Sequence, residues 1–169
     1  PERARTMLSA GVEKRDFQAL RRALRADEIA RPAYDALEVI LKAMKKLQLE
    51  WESPVALEEP PEGLYQPMAD FLEAARPLLP EGLSAHEQLF ECYYKALDYL
   101  RVADAFQSDY RALIEPSDKN LSVRLWCADP SRALKQAMSR VRASILFSAT
   151  LSPIEYYMRA SGLSEEDGD

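Results

Sequence analysis

Apolar residues return at helical spacing through most of the first 106 positions. From Asp16, a residue suited to an N-cap, Phe17, Leu20 and Leu24 recur at steps of three and four, while Arg21, Arg22 and Arg25 fall largely on the opposite side. Pro32 suits a helix start, and Tyr34, Leu37, Leu41, Met44 and Leu47 carry one apolar stripe to about Glu50. The stretch SPVALEEPPEG, 53–63, holds three prolines, three glutamates and a glycine, which breaks the period and predicts an exposed linker. A further helix is expected over Leu64 to Leu79, stopping at Pro80-Glu81-Gly82. Ser84 with Glu87 three residues on is a capping-box pattern and opens the longest predicted helix, ending near Phe106. Leu89, Tyr93, Leu97 and Leu100 or Val102 are its predicted buried face. Glu2 to Ala10 is a short helix-compatible lead-in.

After Gln107 the period changes. DYRALIEP and LSVRLWCADP alternate apolar and polar residues around Ser-Asp-Lys-Asn, which predicts two paired strands and a polar turn. Ser131 to Val141 reads as a helix opened by Asp129-Pro130, and Ser144 to Phe147 as a short buried strand. Strand, helix and strand in that order form a right-handed crossover, which needs a parallel sheet and normally a larger one than this chain supplies. The expected fold is therefore mainly α, an antiparallel helical bundle with a small C-terminal α/β segment. Its expected division is 1–14, 15–106, 107–163 and an acidic tail at 164–169.

A chain of 169 residues buries roughly 70% of its unfolded surface and needs no staples. No apolar run approaches the roughly 20 residues that cross a bilayer, so no membrane partner is expected and a cytoplasmic location is. Cys92 and Cys127 stand far apart without a second cysteine or histidine at ligand spacing, and are expected to be reduced and structural. The chain opens on Pro1 without the regions of a signal peptide and reads as excised from something longer. Its formal net charge of −6 supplies no global attraction to phosphate backbones, so any nucleic-acid contact is local.

Lys14, Arg15, Arg21, Arg22 and Arg25 form such a local basic face, suited to tracking a single strand, although charged helix faces are usually only solvated. Lys42, Lys45 and Lys46 make a second, weaker cluster, and Arg140 and Arg142 flank the expected return strand. His86 has no ligand partner in the sequence and reads as a surface or capping residue. Tyr93, Tyr94, Tyr99, Trp51 and Trp126 read as packing residues. No paired carboxylates, metal-ligand spacing or nucleophile constellation supports hydrolytic chemistry, so no catalytic residue and no metal site is expected.

SILFSATLSPIEYYMRASGL, with the preceding RLWCADPSRALKQAMSRVRASI, resembles the return segment of the DinG/XPD-type superfamily two DNA helicases. In that family a strand ending in Ser-Ala-Thr or Ser-Gly-Thr, followed by Leu-Ser-Pro, forms helicase motif III. A Cys-x-Asp-Pro-Ser element precedes it. Here these are Ser148, Ala149, Thr150, Leu151, Ser152 and Pro153, after Cys127, Asp129, Pro130 and Ser131. PERARTMLSA resembles the helix that follows the family's Asp-Glu-Ala-His box. The resemblance implies a stretch between motifs II and III, where these helicases insert an arch domain, with 1–14 and 107–163 belonging to the helicase domain on either side.

It further implies that Ser148 and Thr150 hydrogen-bond in the turn that links nucleotide hydrolysis to the DNA-bound state. Ser152 would cap a helix begun by Pro153. Single-stranded DNA and the remaining helicase core are the implied partners, and ATP with Mg is implied for the parent. The chain contains neither a phosphate-binding loop nor Asp-Glu-Ala-His, so by itself it is expected to be inactive, with no cofactor of its own. Two distant cysteines cannot hold an iron–sulfur cluster, which leaves a cluster elsewhere in the parent open. The rival expectation is a stand-alone helical protein-interaction module that docks through its acidic linker and tail.

Overall fold

The computed structural model describes residues 2–79, 87–145 and 153–163. There the chain is mainly helical, with one four-stranded antiparallel sheet. The helices are α1 (Glu2–Met7), α2 (Lys14–Ala23), α3 (Arg31–Glu50), α4 (Tyr65–Ala75), α5 (Glu87–Ala105), α6 (Ser131–Met138) and α7 (Ile154–Ala160). The strands are β1 (Ala10–Glu13), β2 (Val55–Leu57), β3 (Tyr110–Pro116) and β4 (Leu121–Cys127), in the order β1-β4-β3-β2.

The predicted hairpin is β3 and β4, paired from Tyr110↔Cys127 to Pro116↔Leu121. Its period of two puts Ala112, Ile114, Val123 and Leu125 on one side, where each is fully buried. Two short strands extend it. β1 lies against β4 with Ala10↔Leu125 and Val12↔Val123, in a segment too short to show a period. β2 lies against β3 within the stretch expected to be a linker. Pro54 and Pro60 flank β2, which suits an edge strand with few neighbours to donate to.

Helices α2 to α5 pack on one another, and α2, α3 and α5 reach the buried side of the sheet. Pro32 does sit in the first turn of α3, whose buried Leu37, Leu41, Met44 and Leu47 follow the predicted stripe. At the centre Phe17 of α2 meets Phe71 of α4 edge to face, with ring centroids 6.2 Å apart. In α5 the buried face is Leu89, Cys92, Ala96, Tyr99 and Val102, with Tyr93 and Leu100 partly buried against it, whereas Leu97 is exposed. Small Cys92 and Ala96 lie on this face, a choice that periodicity among several apolar residues does not make.

The start of α2 and the segment after α6 differ from expectation. Helix α2 begins at Lys14, placing Asp16 in its first turn, while Glu13 occupies the N-cap without a side-chain capping bond. Among the described residues every pairing in the sheet is antiparallel, and 110–127 shares one buried core with β1 and the helices. Ser144 and Ile145, half of the expected return strand, are exposed and unpaired, with Ile145 at 87%. No described strand lies beside them; 146–147, the capping Ser84 and His86 lie outside the described residues.

The buried hydrophobic cluster runs from Ala10 to Cys127. Helices α1, α6 and α7, which flank it, contain no buried residue. The inbound and outbound segments meet where the Cys127 N–H donates to the Ser9 hydroxyl at 3.0 Å. Beyond that junction, Gly162 follows the end of α7 with φ +74° and lies close against the Ser131 carbonyl of α6.

Candidate nucleic-acid interface

Lys14 and Arg15 sit where the chain turns from the extended Glu13 into α2. The distant turn between β3 and β4 supplies the missing cap: Asn120 Oδ1 accepts from the Arg15 backbone N–H at 3.0 Å. The Asn120 amide donates to the Glu13 carboxylate at 3.1 Å, and Arg15 Nε lies 2.6 Å from the same carboxylate. From α3, Gln48 completes the joint. Its Oε1 accepts from Lys14 Nζ at 2.5 Å, and its Nε2 donates to the carbonyls of Ser117 at 2.6 Å and Asn120 at 3.2 Å. One hairpin turn is thereby tied to two helices.

This joint also decides the electrostatics. Partial burial, and then the field of Lys45, lower the pKa of the Lys14 ammonium from its ordinary 10.5. Lys45 is exposed on α3, and it lines a recess of about 490 Å³ together with Lys14 and Gln48. The two basic clusters that are separate in sequence therefore meet.

The expected face of five cations is broken up. Arg15 is engaged with Glu13 and Asp16, and Arg21 pairs with Glu38 at 2.9 Å. Arg22 and Arg25 are exposed and form no ion pair among the described residues. Arg140 shares a groove of about 230 Å³ with Arg101, Arg132 and Leu8 of the inbound segment. Arg101 had no sequence signal beyond an exposed helix position. Arg142 is exposed in the segment after α6. Ser148, Ala149, Thr150 and Ser152 lie outside the described residues.

The helix after them is described. It opens with Pro153 in extended conformation at the N-cap, one position later than the expectation that put Pro153 inside the helix. Its C-terminus closes with Leu163 N–H on the Met158 carbonyl at 2.9 Å and Gly162 N–H on the Arg159 carbonyl at 3.0 Å, a Schellman arrangement. In the Asp-Pro-Ser element, Asp129 Oδ1 accepts from the Ser131 N–H at 3.0 Å, which sets the start of α6.

Of the aromatics, Tyr99 is buried, whereas Tyr94 is 56% exposed and only partly serves packing, stacking on Phe90. Trp126 is half-buried on the face of the sheet away from the core. Both cysteines are buried and free, and burial pushes the Cys92 thiol up to about 12, which makes it inert. Among the described residues no group of histidine, cysteine, aspartate and glutamate could hold a metal ion, and no helix is long and apolar enough to cross a membrane. No protein-family model matches the chain, and no curated protein matches it.

Proposed function

We propose that this chain is the non-catalytic arch region, with its flanking stubs, of a DinG/XPD-type ATP-dependent DNA helicase that acts in the cytoplasm in DNA repair. The carrying observation is the division of burial. A closed core spans Ala10 to Cys127, and the two segments outside it, which bear most of the sequence resemblance, have helices with no buried residue. An inserted domain has this anatomy: its ends lie together, here at Ser9 and Cys127, and its stubs belong to a host that covers them.

In this reading the helical arrangement is the arch wall beside the single strand, with the cations of α2 and α3 facing the phosphates. Residues 148–152 belong to the host and couple its ATP hydrolysis to translocation. The chain alone hydrolyses nothing, because the phosphate loop and metal-binding acids sit in the host with ATP and Mg.

The test uses the intact parent protein, assayed for ATPase and unwinding with and without single-stranded DNA. Hydrolysis stimulated by the strand is expected, and Thr150→Ala lowers unwinding at least about tenfold while nucleotide binding persists. A parent with no strand-stimulated hydrolysis overturns the reading.

A further inference from the structure

We propose that Lys14 and Lys45 form a phosphate-binding recess beside the turn between β3 and β4. The recess, about 490 Å³, is bounded by the β1–α2 junction, the last turns of α3, and Ser117 at the start of the hairpin turn. Gln48 holds its geometry. Both amide protons of Gln48 are directed to carbonyls of the turn, so its oxygen is presented to Lys14 and fixes that ammonium.

One Lys14 proton is used in this way. Its other two, and all three of Lys45, have no protein acceptor among the described residues. Two ammonium groups near enough for one to act on the other are relieved by an anion placed between them. Point-like ammonium donors suit the tetrahedral oxygens of a phosphate, whereas carboxylate recognition favours the planar fork of an arginine. Glu52 and Asp118 also line the recess, and neither forms an ion pair with either lysine among the described residues. Their charge favours one phosphate over a polyphosphate.

The phosphate comes either from a single-stranded phosphodiester, an assignment that rests on the helicase reading, or from a free phosphate group. The test uses the whole 169-residue chain, with Lys14→Gln/Lys45→Gln against a control, Lys42→Gln/Lys46→Gln, both checked for folding by circular dichroism. Labelled oligothymidylate is titrated by anisotropy over a range of salt, and sodium phosphate by amide NMR against sodium chloride.

For a strand ligand, the recess variant weakens oligothymidylate at least about tenfold and flattens the salt dependence by about 1.4 in slope, while the control changes neither. Phosphate-specific shifts at Lys14 and Lys45 without oligothymidylate binding identify the free anion. Equal oligothymidylate affinity and slope in wild type and recess variant, without phosphate-specific shifts, overturn the site. That result leaves the helicase reading untouched, since strand-stimulated hydrolysis in the parent decides it separately.

Discussion

Arg132 grips Asp109 with two parallel bonds, Nε to Oδ2 at 3.0 Å and Nη2 to Oδ1 at 3.1 Å. Nη2 also donates to the Ala105 carbonyl at 3.3 Å, so one guanidinium joins α6 to the end of α5 and the start of β3. Asp109 is itself fixed, its carbonyl accepting from Ala128 at 2.8 Å and Asp129 at 3.2 Å. Because α6 buries no residue, this fork is a principal hold on it. Arg132→Ala is expected to speed amide exchange across 131–138 at least about tenfold, with β3 and β4 protected as before and a global loss near 1 kcal/mol. Exchange that rises equally in the sheet would refute this division.

Phe71 is fully buried edge-on to Phe17. Phe71→Ala removes both the ring contact and the volume at the meeting of α2 and α4, and is expected to cost about 3–5 kcal/mol in urea unfolding. A loss below about 1 kcal/mol would mean that the site collapses without penalty.

Alkaline pH is expected to destabilise the fold. Burial raises the Cys92 thiol from 9.0 to about 12 and the Tyr110 hydroxyl from 10.0 to about 12, so the native chain keeps protons that the unfolded chain releases. This contribution is complete below about pH 9 and is lost as pH rises toward 12. Urea midpoints should fall steadily over that interval, and Cys92→Ala should flatten the first part of the fall. Midpoints that stay level to about pH 11 would contradict the assignment.

At Gly162 a side chain would meet both strain and obstruction. Its φ is +74°, and a Cβ there collides with the Ser131 carbonyl oxygen and comes within 2.9 Å of Lys135 Cβ. Gly162→Ala is expected to undock α7 from α6 at a local cost of about 1 kcal/mol or more, leaving the melting of the core unchanged. Hydrogen exchange over 154–163 reads the outcome, and unchanged protection there would show that α7 is held by other contacts.

The sequence by itself determined the elements whose signals are local. Pro32 and a stripe of leucines mark α3, the alternation around Ser-Asp-Lys-Asn marks the hairpin, and Asp129-Pro130 marks the start of α6. Tertiary structure decided what depends on residues far apart in the chain. β1 and β2 span four and three residues, too few to show a period, and become strands only because β4 and β3 offer unpaired edges. The buried side of α5 runs through Cys92 and Ala96 and was settled by the elements packed against it. Among the cations, linear order grouped Lys14 with Arg15 and Arg21, whereas the fold committed those arginines to carboxylates and carried Lys14 to Lys45. Periodicity is a property of one helix or strand, but a hydrogen bond such as Gln48 to Lys14, or the field between two ammonium groups, depends on distance in space and exists only once the helices have packed.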